Sequence, residues 1–121
     1  MTQIIIVSHS KEIAEGTKAL INQMVGEDVG VLAQGGANGN IGTSYDDIQE
    51  MINQLDNDAL CFYDIGSAEM NLDLAIEMYE GNYRVEKMNA PIVEGAFNAA
   101  VKLSVGNSID EVVDELNNQF N

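Results

Sequence analysis

The single histidine of this chain, His9, stands where the apolar run Ile4-Ile5-Ile6-Val7 gives way to a helical pattern that begins at Lys11. Open parallel sheets gather their reactive groups at the carboxyl ends of their strands, so an imidazole there is placed for nucleophilic work. The helix start that follows adds unpaired N–H groups and a partial positive charge, which suits a side chain that carries an anion such as phosphate. An isolated histidine is more often a structural hydrogen-bonding residue, so this one has to be weighed with its surroundings.

A second chemical group occupies a matching position. Asp64 closes the apolar run Ala59-Leu60-Cys61-Phe62-Tyr63 and is followed by Ile65-Gly66-Ser67-Ala68 at the start of another helical pattern. An aspartate there either caps the helix or orients a catalytic partner. If its carboxylate accepts from one imidazole nitrogen, it fixes the tautomer and leaves the other lone pair free to attack. Between the two lies Gly35-Gly36-Ala37-Asn38-Gly39-Asn40-Ile41-Gly42-Thr43-Ser44. It lacks the ending of a P-loop and the spacing of a dinucleotide fingerprint, so by itself it reads equally as a backbone anion cradle or a flexible connection.

These groups are delivered by an alternation of strands and helices. Ile4 to Val7 reads as a buried strand, and the helix after it carries Ile13, Thr17, Leu20, Ile21, Met24 and Val25 at helical spacing. Val29 to Ala33 is a second strand, and Ser44 with Asp47 opens a helix bearing Ile48, Met51, Ile52 and Leu55. Ala59 to Asp64 is a third strand, followed by a helix over Ser67 to Tyr79 with Leu72, Ala75, Ile76 and Tyr79 on one side. The same helix bears a second stripe, Met70, Leu74 and Met78, which core packing or a subunit interface would explain.

Tyr83 to Met88 is a weaker fourth strand. Pro91 opens a helix with Ile92, Val93, Ala96, Phe97, Ala100 and Leu103, and Ser108 with Glu111 forms a capping box before Ile109, Val112, Val113, Leu116 and Phe120. The pattern predicts a three-layer α/β fold, an open parallel four-stranded sheet in the order 2-1-3-4 with helices on both faces. In that order strands 1 and 3 are neighbours, so His9 and Asp64 converge on one crevice.

With 121 residues, residues 1–121 are expected to form one domain, and a 45% hydrophobic content supports a real core despite a formal charge of −15. Five Lys and Arg against twenty Asp and Glu argue against nucleic acid and anionic membranes, and the acidic surface reads equally as one that favours basic protein partners or as one that only keeps the chain soluble. The lone Cys61 lies inside an apolar strand, no basic leader precedes the first strand, and no apolar stretch approaches a membrane span, so a cytoplasmic setting is expected.

Val7-Ser8-His9-Ser10, Gly35-Gly36, Ile41-Gly42-Thr43-Ser44, Asp64-Ile65-Gly66-Ser67-Ala68 and Ala90-Pro91-Ile92-Val93-Glu94-Gly95, taken in order, resemble the mannose-class IIA family of the phosphotransferase system. Within it they resemble the phosphocarrier subunits of phosphoenolpyruvate-dependent dihydroxyacetone kinase. The resemblance implies that His9 is phosphorylated and that Asp64 orients it. It also implies that Ser8, Ser10, Gly35, Gly36, Thr43, Gly66 and Ser67 form the loops of the phosphoryl site, with no metal. A homodimer is implied, with the histidine phosphocarrier HPr as donor and the nucleotide-binding kinase subunit as acceptor. ADP and ATP would sit on that partner, and this chain would hold no cofactor.

Three readings compete with that one. A mannose-class IIA component of a sugar transporter shares the motifs. A flavodoxin-like module shares the strand–helix alternation, but the turn Ser8-His9-Ser10-Lys11-Glu12 is not a flavin phosphate cradle and there is no tryptophan to stack a ring. An aspartyl-phosphate receiver would use Asp64 as acceptor, but it needs an acidic Mg²⁺ cluster that the strand ending in Val7-Ser8-His9 lacks.

Overall fold

A computed structural model describes all 121 residues. The elements are β1 (Gln3–Ser8), α1 (Lys11–Val25), β2 (Val31–Gly35), α2 (Tyr45–Asn53), β3 (Ala59–Tyr63), α3 (Gly66–Glu77), β4 (Val85–Lys87), α4 (Ile92–Ser104) and α5 (Ile109–Phe120). The sheet is parallel throughout in the order β2-β1-β3-β4, as expected. Val7 pairs with Gln34 on one side and Tyr63 on the other, so β1 and β3 end together.

The alternating sides of β1 and β3 build two separate cores. Ile4, Ile6, Leu60 and Phe62 face Ala14 and Ile21 of α1, Ala96, Ala99, Ala100 and Leu103 of α4, and Val112 and Leu116 of α5. Ile5, Val7 and Cys61 face Ile48, Met51 and Ile52 of α2 and Ala68, Leu72 and Ala75 of α3. Each isoleucine of β1 is wholly excluded from solvent, which contributes about 1.5–3 kcal/mol apiece. Burial on both faces is what a continuous apolar run in a parallel sheet predicts.

The expected helix faces are corrected on α4, where Val93 is exposed, on α3, where Met70, Leu74 and Met78 are exposed rather than packed in the core, and most of all on α1. On α1 the buried residues are Ala14, Thr17 and Ile21, whereas Ile13, Leu20 and Met24 are exposed. The reason is geometric: α1 shares its side of the sheet with α4 and α5, so only a narrow stripe of it meets the core.

Boundaries also move. β2 runs two residues later than Val29–Ala33, which carries Gly35 to a place beside Ser8. β4 has three residues rather than six, although backbone bonds continue the ladder at both ends, from Ala59 N–H to Arg84 carbonyl and from Met88 N–H to Cys61 carbonyl. The capping box at Ser108 and Glu111 forms with both hydrogen bonds. Ser44 caps α2 by accepting from Asp47 N–H.

Candidate active site at the ends of the central strands

β1 ends in Ser8-His9 and β3 is followed by Asp64, and the parallel register brings the two chain segments into contact. Asp64 accepts four hydrogen bonds. Its Oδ2 takes the Ser8 hydroxyl at 2.8 Å and the His9 backbone N–H at 2.9 Å. Its Oδ1 takes the Ile65 N–H at 2.7 Å and lies 2.9 Å from His9 Nδ1. Burial by itself would raise the Asp64 carboxyl, but the hydrogen bonds to its charged form outweigh that and hold it below the ordinary carboxylate value.

An ionised carboxylate only accepts, so Nδ1 must carry the proton of a neutral His9 imidazole. The lone pair then belongs to Nε2 on the opposite edge of the ring. Nε2 meets the Ser67 hydroxyl in a close hydrogen bond, with Ser67 donating. The His9 side chain retains 14% of its accessible surface, so the ring is largely enclosed between Asp64 and Ser67.

Asp64 is not the cap of α3. The helix begins at Gly66 with Ile65 as its N-cap, and no side chain satisfies its first turn. The Gly66 and Ser67 amides therefore have no protein acceptor, at the end of the helix that carries partial positive charge. The two roles left open for Asp64 are thus separated by geometry: three of its four hydrogen bonds go to Ser8 and His9 and the fourth to the Ile65 N–H, and none reaches the first-turn amides of α3.

Ser8 is wholly buried, and its hydroxyl is committed to Asp64 while accepting the Ser10 N–H at 3.0 Å. Ser10 caps α1 by accepting from Ile13 N–H and donates to a Glu12 carboxylate oxygen at 3.2 Å. Gly35 and Gly36 close beneath this turn. A Cβ at Gly35 would lie 2.3 Å from the Ser10 carbonyl oxygen, so only glycine lets β2 end there. Gly36 has φ +76° and donates its N–H to the Ser8 carbonyl at 3.2 Å.

Beyond them, Ala37 and Asn40 exchange both backbone bonds around Asn38-Gly39, whose φ angles of 52° and 81° are those of a type I′ hairpin. The Gly42 N–H returns to the His9 carbonyl at 2.9 Å. Thr43 is held by Asn71 of α3, whose side-chain amide donates to its hydroxyl at 2.6 Å. The glycine segment is therefore a built loop that grips the His9 backbone. A polar hollow of about 540 Å³ lies between α1 and this hairpin, and His9 is not among its lining residues.

Two contributors escaped the sequence reading. Asn71 has no motif around it and is found only through the packing of α3 against the loop. The Asn38-Gly39 pair does carry a hairpin signal, which the neighbouring glycines concealed.

The profile of the family described as "PTS system fructose IIA component" matches residues 3–113. The phosphotransferase subunit DhaM of the PTS-dependent dihydroxyacetone kinase of Lactococcus lactis is 43% identical over 116 residues, spanning 93% of this chain and 91% of its own. The DhaM phosphoryl donor subunit of dihydroxyacetone kinase 2 of Listeria innocua is 38% identical over 124 residues, spanning 98% of each chain. That of Escherichia coli is 33% identical over 93% of this chain but only 26% of its own, longer sequence.

A solved protein of unknown function, EF1359, superposes with a TM-score of 0.85 at 34% identity over 98% of this chain and 95% of its own. The phosphotransferase component EIIA of Streptococcus agalactiae shares the fold, with a TM-score of 0.70 at 20% identity over 98% of this chain and 91% of its own. The chain belongs to the mannose-class IIA family of phosphotransferase-system components.

Proposed function

We propose that this chain is a phosphohistidine carrier that takes a phosphoryl group from HPr onto His9 Nε2 and passes it to ADP bound on the nucleotide-binding subunit of a dihydroxyacetone kinase. The observation that carries the reading is the pair of contacts on the two ring nitrogens, Nδ1 on Asp64 and Nε2 on Ser67. Relatives that are phosphoryl donor subunits of that kinase support the acceptor.

In the accepting step the Nε2 lone pair attacks the phosphorus of a phosphohistidine on the donor. The donor's P–N bond breaks as the new one forms, and its electron pair stays with the departing imidazole, which leaves neutral from its protonated form. The Nδ1 proton remains on His9, and the developing positive charge of the ring is balanced by Asp64. Ser67 must turn its hydroxyl from Nε2 to a phosphoryl oxygen, so the same group that guards the lone pair then stabilises the product. The Gly66 and Ser67 amides add to that, since the transferring group spreads its charge over three oxygens. The second step reverses these roles toward ADP, and ATP regenerated on the partner phosphorylates dihydroxyacetone.

Self-association is part of the reading. Exposed Leu20 and Met24 of α1 and Val93 of α4 line one apolar hollow with the partly buried Phe97, a face suited to a second copy, and native mass by light scattering should be twice that of the chain. The setting proposed is the cytoplasm, and no helix is long and apolar enough to cross a membrane.

Incubation with phosphoenolpyruvate, enzyme I and HPr should add one phosphoryl group per chain by intact mass. His9→Ala should abolish that addition with the fold intact. Mixing the labelled protein with the ADP-loaded kinase subunit should yield ATP. A label that survives there, yet is discharged by a sugar-transporter domain, would replace the kinase acceptor with the transporter reading.

A further inference from the structure

Lys87 is the last residue of β4, paired in register with Cys61 of β3, and the Met88 N–H after it bonds to the Cys61 carbonyl. Its backbone is therefore fixed to the strand that leads into Asp64. The side chain passes over Tyr63, with Nζ 5.7 Å from the ring centre, and reaches α3. There Nζ donates to Glu69 at 2.6 Å and lies 2.9 Å from an Asp73 oxygen. No other ion pair joins α3 to the rest of the molecule.

Glu69 is the acidic residue in the first turn of α3, at the end where the Gly66 and Ser67 amides have no protein acceptor. A helical side chain leans over the turn before its own Cα, so an unpaired Glu69 would carry its charge over Ile65 and Gly66. That would set a competing anion beside those amides and repel a phosphoryl group arriving at His9 Nε2. Asp73, four residues on, would drive Glu69 the same way, since like charges at that spacing repel. The bond from Lys87 holds the Glu69 carboxyl below its ordinary value and draws its charge toward β4.

We infer that Lys87 is a positioning residue for phosphoryl transfer: by holding Glu69 away from the uncapped start of α3, it keeps the Gly66 and Ser67 amides for the phosphoryl group on His9. The inference rests on the carrier reading of His9. It adds how a chain with twenty acidic and five basic residues keeps its own carboxylates from filling an anion site. The partners of the Lys87 ammonium are Glu69 and Asp73, so its effect on the reaction passes through their charge.

The test measures the initial rate at which His9 is labelled by phosphoramidate, a small donor that gives its phosphoryl group to Nε2 and leaves as ammonia, so no partner protein enters the measurement. Lys87→Met should slow labelling about fivefold. Lys87→Arg keeps the charge and should label as the unaltered protein does. Glu69→Gln should label at least as fast as the unaltered protein, and Lys87→Met combined with Glu69→Gln should recover the unaltered rate. At about 1 M salt the loss in Lys87→Met should shrink toward nothing, because a Debye length of about 3 Å screens the freed charge.

A tether that merely holds α3 in place behaves otherwise: Glu69→Gln would slow labelling as Lys87→Met does, the double variant would stay slow, and salt would bring no recovery. Any of these results overturns the inference, as does an unaltered rate in Lys87→Met. Should Lys87→Met fail to fold, Glu69→Gln decides alone, since a slower rate in it overturns the inference and an equal or faster one upholds it. If neither phosphoramidate nor phosphorylated HPr labels His9 in the unaltered protein, the carrier reading itself falls. Labelling of the unaltered protein with no response to Lys87→Met leaves His9 as the nucleophile and removes only the role of Lys87.

Discussion

Two helices begin within reach of His9, and they begin in opposite ways. α1 starts with Ser10, whose hydroxyl accepts from Ile13 N–H and donates to Glu12, above a floor of two glycines. α3 starts with Ile65, which offers no side-chain acceptor, and leaves the Gly66 and Ser67 amides free. Both helix ends carry the same partial positive charge and an acidic residue in the first turn, but only α1 has a side-chain oxygen on its amides, whereas Glu69 of α3 is drawn to Lys87. The unanswered end is the one with chemistry to do. Asp64 shows how that difference is kept, since the residue best placed to cap α3 spends its oxygens on Ser8 and His9 instead.

The sharpest way to break this contrast is to neutralise Asp64. Asp64→Asn keeps the shape but no longer favours the proton on Nδ1, and phosphoryl transfer should fall about a thousandfold by rapid-quench kinetics. The same variant reports on acid stability. The folded protein holds Asp64 below its ordinary value, so the carboxylate's stabilisation is complete above about pH 4 and is lost as pH falls through the folded value. Thermal unfolding across that range should show a shallower acid dependence in Asp64→Asn than in the unaltered chain.

Glycine replacements sharpen the contrast next. Gly35→Ala sets a methyl group against the backbone beneath the α1 start and should destabilise the fold by about 3 kcal/mol in urea titration. Gly66→Ala, at the α3 start, meets nothing within 4 Å and should lie within about 0.5 kcal/mol of the unaltered protein. An equal loss in both would remove the distinction between a packed helix start and an open one.

Hydroxyl removal gives the smaller effects. Ser67→Ala takes away one donor at the phosphoryl site and should slow transfer by about tenfold to a hundredfold without altering stability. Ser10→Ala should do the reverse, lowering stability by about 1 kcal/mol through loss of the cap while transfer stays within twofold. A slowed transfer in Ser10→Ala would mean that the α1 start also serves the phosphoryl group.

Much of this arrangement was legible because it rests on periodicity and topology. The run Ile4 to Val7 and the order 2-1-3-4 are enough to bring His9 and Asp64 together, and the Ser108–Glu111 box announces α5. Whether Asp64 capped or oriented was not legible, because both roles ask for the same residue at the same place and only the direction of its oxygens separates them. Ile13, Leu20 and Met24 misled for another reason: the apolar arc of α1 is wider than the strip of it that meets the core. β2 was set two residues early because Gly35 reads as loop until the turn above it is known to leave no room for a side chain.

The inward turn of Asp64 also bears on how the molecule is made. Its bonds to Ser8 and His9 join positions 56 and 55 residues apart, so no local segment of the chain contains the site. Helices α1 to α3 can form early from neighbouring residues, but His9 has nothing to orient it until β1 and β3 have paired across that interval, and such distant pairings are the slow events of folding. Competence to take a phosphoryl group therefore cannot precede that pairing. A half-assembled molecule carries the histidine with neither tautomer selected and its ring unoriented, and draws phosphate from the pool far more slowly.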